Sequence, residues 1–400
     1  MLWSALVLLV AAQPPQPKLP PPNDTPSVTK HPKVVDWPAG KTPTAPAGFA
    51  VNLYADGLDS PRWMYVLPNG DVLVSEARTL SKKDKPMPPP ANRVTLFRGL
   101  KDGKPESKHV FAEGLNQPFG MCLVGDKLFV ANTDALLAFD YKKGQTKLEG
   151  KPLKITDLPA GGYNNHWTRN VVANKDGTKL YVSVGSASNV AERGTAEELL
   201  RACVLEMNLD GTALRVFASG LRNPVGMDWE PKGGALWTAV NERDELGDEL
   251  VPDYITSVKD GGFYGWPFSY LGKNEDPRRK GERPDLVAKA LVPDVPLGAH
   301  TASLGLTFYR GAAFAEKYRE GAFVGQRGSW NRSKFAGYRV AFVPFKDGKP
   351  TGAAEDFLTG FIKNDDEVYG RPVGVTVAPD GALLVTDDVT NRIWRVAPAK

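Results

Sequence analysis

Six short stretches of this 400-residue chain place residues able to do acid–base or ligand chemistry beside one another. N-N-H-W-T-R carries His166 and Arg169, G-L-R-N-P carries Arg222 and Asn223, and A-H-T carries His300 and Thr301. Q-R-G-S-W-N-R carries Arg327, and Y-G-R-P carries Tyr369 and Arg371. The acidic run N-E-R-D-E-L-G-D-E, Asn241 to Glu249, holds Arg243, Asp244 and Glu245. An imidazole can take a proton near neutral pH. Arginine forks bind carboxylates in pairs of hydrogen bonds, so several of them suggest a polyanionic ligand. Each stretch also has a plainer reading. His166 beside Trp167 could be a packed rim histidine, and Arg222-Asn223 before proline could cap a turn. Arg371 could pair with Asp365 or Asp366 as a solvated ion pair. The acidic run could be a charged surface turn; its oxygen spacing is not that of an EF-hand.

These stretches gain force from where they sit. An apolar strand, a glycine-containing turn and a second hydrophobic strand recur six times: Met64 to Glu76, Phe119 to Asn132, Arg169 to Val184, Val225 to Val240, Leu304 to Gln326 and Val373 to Asp387. Six such units predict an all-β, six-bladed β-propeller of four-stranded antiparallel blades. The last unit supplies three strands before the chain ends. The run F-A-V-N-L-Y-A, Phe49 to Ala55, has no unit of its own. It is expected to complete the sixth blade and remove the free edges. A propeller presents the start of each inner strand to a central cleft, and His166, Arg222, His300 and Arg371 all stand just before inner strands. Two polar, proline-rich insertions, Ser81–Pro90 and Gly272–Pro296, interrupt the pattern and read as surface loops.

The domain plan is therefore 1–12 as a secretory signal, 13–48 as a linker with eleven prolines, and 49–400 as the propeller. An apolar run over residues 2–12 ending V-A-A is too short to span a bilayer. It predicts a periplasmic or secreted protein with no membrane span in the mature chain. The net charge of +4 is spread along the sequence, which argues against nucleic acid as a partner. Cys122 and Cys203 lie in apolar runs without metal-ligand spacing and read as buried free thiols.

The sequence resembles the soluble pyrroloquinoline quinone (PQQ)-dependent sugar dehydrogenases, glucose and sorbosone dehydrogenases, most of all the sorbosone branch. G-L-R-N-P-V-G, the acidic run with Y-G-W-P after it, H-W-T-R-N and G-Q-R-G-S-W-N-R carry the resemblance from about Phe49 to the C-terminus. It implies a six-bladed propeller with PQQ and calcium in the central cleft. It implies His166 as general base and Arg222 as the contact to the reactive quinone oxygen. Asn223, Arg243, His300, Thr301, Arg327 and Arg371 are then cofactor contacts. Asp244 and Glu245 stand where glucose-oxidising relatives offer Gly-Pro carbonyls to calcium, and are the expected metal residues. A second arginine of those relatives, two positions past Arg371, is Val373 here.

The implied chemistry is hydride transfer from a sugar, or a sugar-derived aldehyde or alcohol, to the quinone. His166 takes the hydroxyl proton, and calcium and Arg222 polarise the accepting carbonyl. Without a C-x-x-C-H haem motif, an external electron acceptor completes the cycle. Two alternatives stay open. One is a calcium-dependent lactonase-type hydrolase with Glu76, Asn132, Asn223 and Asp387 converging on the axis. The other is a non-catalytic binding propeller.

Overall fold

Valine-, leucine- and phenylalanine-rich runs separated by glycine turns pair with their sequence neighbours, and the pairing closes into a ring. A computed structural model describes residues 16–79 and 88–399. The apolar run at 2–12 and most of the Ser81–Pro90 insertion lie outside the described residues. Blade 1 is Pro61–Val66, Val72–Glu76, Arg93–Arg98 and Ser107–Ala112, from axis to rim. Blade 2 is Met121–Val124, Lys127–Ala131, Ala135–Asp140 and Leu153–Asp157. Blade 3 is Arg169–Ala173, Lys179–Val184, Cys203–Asn208 and Arg215–Ser219. Blade 4 is Pro224–Trp229, Leu236–Val240, Pro252–Ser257 and Val295–Ala299. Blade 5 is Ser303–Phe308, Gly321–Gln326, Arg339–Lys346 and Glu355–Leu358. Blade 6 is Pro372–Val377, Leu383–Asp387 and Arg392–Pro398, completed on its outer edge by Phe49–Ala55.

The fold is thus the six-bladed propeller that the repeats predict, and the orphan strand closes it. Inner strands are edge strands facing the channel, so proline is tolerated at their first residue. Pro61, Pro224 and Pro372 stand there, each beside a register shift that bends the strand start. Between blades the sheets share apolar cores, such as Trp237, Phe308 and Phe345 between blades 4 and 5. Cys122 and Cys203 are buried free thiols in such a core.

Two features bring the inner strands together at the axis. First, glycines remove the side chain that would separate them. A Cβ on Gly226 would come within 2.6 Å of Leu304 O in the next blade. One on Gly305 would meet Val373 O, one on Gly374 would meet Arg62 O, and one on Gly120 would reach Val171 N at 2.6 Å. Second, the axis is filled. Trp63, Phe119, Trp167, Val225, Leu304 and Val373, one from the inner start of each blade, form a buried apolar plug with Ala77.

The long insertion lies inside blade 4, between its third and fourth strands, because Val295–Ala299 pairs with Pro252–Ser257. It is not simply a surface loop. Tyr270 and Leu271 pack with Leu246, Leu250 and Val251 under it. The proline-rich segment, where described, is docked rather than free. It crosses the loops of blades 4, 5 and 6 on one face before reaching Phe49. Leu19 packs on the blade 4 cluster, Lys33–Val34 pairs with Glu367–Val368, and Trp37 is buried against Tyr369 and Trp394.

Gly305→Ala and Gly374→Ala should each cost about 1–3 kcal/mol, the usual penalty for overpacking. Gly161→Ala, where a Cβ meets nothing within 4 Å, should be near neutral. Urea unfolding of the three variants checks the difference.

Candidate active site

The residues singled out by type gather at the end of the ring where the inner strands begin. His166 immediately precedes Trp167 of the plug. Its Nδ1 lies 2.9 Å from Ser186 O and 3.0 Å from Ser186 Oγ. Ser186 Oγ already donates to Ser188 O at 2.7 Å. A carbonyl can only accept, so Nδ1 carries the proton and Nε2 is left with its lone pair. Burial, and then the neighbouring Arg222 charge, push the imidazole pKa down to about 3. His166 is therefore a neutral, oriented acceptor, the state a general base requires.

Arg222 stands beside it, fully buried, and every N–H of its guanidinium is committed. Nε donates to Asn189 O (3.1 Å), Nη1 to Glu242 O (2.7 Å) and Asn241 O (3.2 Å), and Nη2 to Asn189 Oδ1 (2.9 Å) and Asp244 Oδ2 (3.4 Å). It offers the cleft its charge and not a free donor. Asn223 packs against the bare backbone of Gly185 next to His166, and its buried Oδ1 has no hydrogen-bond partner among the described residues.

His300 sits at φ 60°, a region that non-glycine residues rarely occupy. This aims its Nδ1 at Asp244 Oδ1 (3.3 Å) and its Nε2 at Gly247 O (2.8 Å). Burial pushes the His300 pKa down, but the Asp244 carboxylate more than offsets it and the net direction is up. For Asp244 burial pushes up, while the His300 hydrogen bond and the Arg222 charge hold it below the usual range. Asp244 thus lies between the Arg222 guanidinium and the His300 imidazole.

A second cluster faces the same end. Arg62 and Arg327 both bond Asp388 Oδ2, Arg327 through Nε at 2.7 Å. Arg371 donates to the backbone of the same loop, Nε to Arg327 O (2.9 Å) and Nη2 to Gly328 O (2.7 Å). Three guanidiniums therefore surround one carboxylate. Burial, followed by the charge of its neighbours, lowers Arg371 to about 10. Arg62, also lowered to about 10 by burial, lies over the Trp167 ring at 5.3 Å. That stacking joins the two clusters. Arg327 N and Gly328 N pair with Ala302 O and Thr301 O, both at 2.9 Å, fastening the arginine loop to the His300 segment.

Other residues expected in the site have close protein neighbours. The Thr301 hydroxyl is engaged by Asp253 Oδ2 (2.8 Å), Ser303 Oγ and Gln326. Arg243 lies under the blade 4 insertion, 3.3 Å from Asp276, and its buried guanidinium nitrogens have no hydrogen-bond partner among the described residues. Arg169 points away from the cleft and binds backbone carbonyls of Pro159, His166 and Thr168. The side chains of Asp244 and Glu245 diverge. Glu245, at φ 70°, turns outward to Arg278 (2.6 Å), while Asp244 faces Arg222 and His300. Among the described residues no group of three or more carboxylate, histidine or cysteine side chains could hold a metal ion. Of the oxygen set of the hydrolase alternative, Asn132 Oδ1 and Asn223 Oδ1 are buried without a hydrogen-bond partner among the described residues, whereas both carboxylates are engaged. Glu76 is bound by Arg93 (2.7 and 3.0 Å) and Thr95, and Asp387 by Arg371 N and Thr390.

Two residues escaped the sequence reading. Arg62, in S-P-R-W, is the second residue of the first inner strand, one position before Trp63 of the plug, whereas Arg371 precedes the sixth, so no shared position signalled it. Asp388 follows a second strand, but nothing local tells which of two adjacent aspartates faces the axis. At the opposite end of the channel lies a cavity of about 890 Å³ lined by Met64, Met121, Met227, Trp229 and Phe308. Its Asp228–Arg310 pair is closed on itself by two 2.8 Å bonds.

Asp388→Asn should destabilise the protein by roughly 3–5 kcal/mol, because buried Arg62 loses its counter-charge. Burial raises the Asp388 pKa, but Arg327, Arg62 and Arg371 together hold it below the ordinary value. Its contribution is therefore complete above the unfolded pKa of about 3.9 and fades as pH falls through the folded value. Unfolding of wild type and variant should diverge at pH 7 and converge on acidification.

Comparison with known proteins agrees with this architecture. The chain is similar to an uncharacterized protein of Borreliella burgdorferi, 29% identical over 363 residues that cover 88% of this chain and 89% of the relative. It is 24% identical over 333 residues to a pyrroloquinoline quinone-dependent pyranose dehydrogenase of Coprinopsis cinerea, across 68% of this chain but only 44% of that protein's length. The holo form of the PQQ domain of the Coprinopsis cinerea pyranose dehydrogenase shares the fold, with a TM-score of 0.73 at 20% identity over 89% of this chain and 97% of that one. The family model described as Domain of unknown function (DUF7133) matches residues 40–394, and the chain belongs to that family.

Proposed function

We propose that this family member is a quinoprotein oxidoreductase that oxidises a sugar, or a sugar-derived aldehyde or alcohol of the sorbosone type, with pyrroloquinoline quinone as its redox group. The observation that carries this reading is the pairing of a neutral, oriented imidazole at His166 with three guanidiniums around the single carboxylate of Asp388. The excess positive charge suits a planar polycarboxylate. Arg62, Arg327 and Arg371 would hold its carboxylates, and the unpartnered amide oxygen of Asn223 is available to it or to substrate. When bound, the quinone supplies a carbonyl that accepts hydride from the carbinol carbon.

The protein's own part is proton handling and orientation. His166 Nε2 accepts the substrate hydroxyl proton while Ser186 O holds Nδ1–H in place. The imidazolium so formed is favoured by Asp244 and disfavoured by Arg222, so it returns its proton readily. The carboxylates of Asp244 and Glu245 do not fit a calcium site, and no step is assigned to that ion. An ion in this cleft would need backbone carbonyls as its main ligands. The same reading places the chain in the periplasm or outside the cell, with an external electron acceptor.

His166→Gln should lose a factor of about 10²–10⁴ in turnover with little change in quinone affinity. Arg62→Ala and Arg371→Ala should lose quinone affinity first. Because His166 stays neutral, the wild-type rate profile should show no limb from it near pH 6.5. Absorbance titration with the quinone, and dye reduction with a sugar panel, measure both quantities. Near-full turnover of His166→Gln at saturating quinone would falsify the assignment.

A further inference from the structure

The proline-rich segment makes more contacts with the loops of the site than a linker requires. Thr25 Oγ1 accepts the Asp248 N–H at 2.8 Å, and Ser27 Oγ accepts the Gly247 N–H at 3.3 Å. Gly247 has φ 100°, and a Cβ there would lie 2.8 Å from Thr25 O, so the segment rests on bare backbone. Gly247 O in turn accepts His300 Nε2–H at 2.8 Å, and His300 Nδ1 meets Asp244, which meets Arg222. A continuous chain of hydrogen bonds thus runs from the N-terminal segment to the charge beside His166.

The grip is two-sided. Asn331 Nδ2 donates to Val28 O at 3.0 Å, while its Oδ1 accepts the Glu245 N–H at 2.8 Å. The acidic loop is therefore held at Glu245, Gly247 and Asp248. Further along, Trp37 Nε1 donates to Asp387 Oδ2 at 3.4 Å, and Asp387 Oδ1 accepts the Arg371 N–H at 2.9 Å. Both clusters of the site are braced by one segment. Proline suits such a brace, because it lacks an N–H that would need a partner and its restricted φ reduces the entropy lost on docking.

We propose that residues 16–44 are a positioning element of the site, with Thr25 and Ser27 setting the placement of His300 against Asp244. Only the effect on turnover rests on the quinoprotein reading; the placement of His300 does not. The chain has four histidines, so full-length protein labelled with [15N]histidine gives four imidazoles to follow. The His300 signal is identified by its loss in His300→Gln.

In Thr25→Val/Ser27→Ala the His300 imidazole signals should shift, while those of His109, on the outer strand of blade 1, stay fixed. The Gly247 and Asp248 amides should exchange about tenfold faster or more, the loss of roughly one net hydrogen bond. Thr25→Ser, which keeps the hydroxyl, should restore both. If the double variant does not fold, Ser27→Ala alone, which removes the longer bond, is read the same way. With a sugar and quinone the double variant should lose turnover with substrate KM little changed. Unaltered His300 signals and amide exchange in the folded variant would overturn the proposal. A wild-type chain that binds no quinone overturns the functional reading and leaves the resonance and exchange measurements to decide this one.

Discussion

The apolar plug at the axis is the contact on which the rest of the molecule depends. Trp63, Phe119, Trp167, Val225, Leu304 and Val373 meet there, one from each blade, and they meet because glycines let adjacent inner strands touch. The plug also sets the height of the site. Arg62 and His166 each stand one residue before a plug residue, and Asn223 and Arg371 each stand two before. The functional groups are thus the last polar residues above a dry floor. A floor of this kind keeps water from entering beneath the cleft and strengthens charge interactions above it.

The ring explains why an apolar residue at 373 is no defect. Val373 is fully buried in the plug, so a cation there would lie in the floor with no partner. A buried positive charge at this end comes from the neighbouring blade. Arg62 reaches Asp388 across the junction of blades 6 and 1, the junction at which Gly374 contacts Arg62 O. Charge in a cleft built by several blades can move from blade to blade without loss of its total.

Strand units were legible in the sequence because alternating burial and glycine turns are local signals, and Phe49–Ala55 was legible by exclusion. The position of His166 followed from the same register. What local pattern does not encode is the direction of a long side chain. Arg169, Arg222 and Thr301 occupy cleft positions along the chain, yet each turns to satisfy backbone or carboxylate groups beside it. The docking of residues 16–44 was hidden for a related reason. Proline-rich sequence announces the lack of an independent core, but it does not reveal whether another surface supplies the partners. The strained backbone at His300 and Glu245 is likewise invisible until the chain is folded.

The sixth blade joins residues from opposite ends of the chain, since Phe49 pairs with Pro398 and Ala55 with Ile393. During synthesis the first strand made must wait for the last three. Until they emerge, Phe49–Ala55 has no strand to pair with, Met64, Val72 and Val74 of blade 1 lack the packing of Leu384 and Ile393, and Trp37 has neither Trp394 nor Asp387 to meet. Such long-range closure slows folding and exposes intermediates to aggregation. A nascent chain therefore closes its ring only at the final step, and a chain shortened by its last strand would lose the partner of Phe49–Ala55 and the Trp394 contact of Trp37 together.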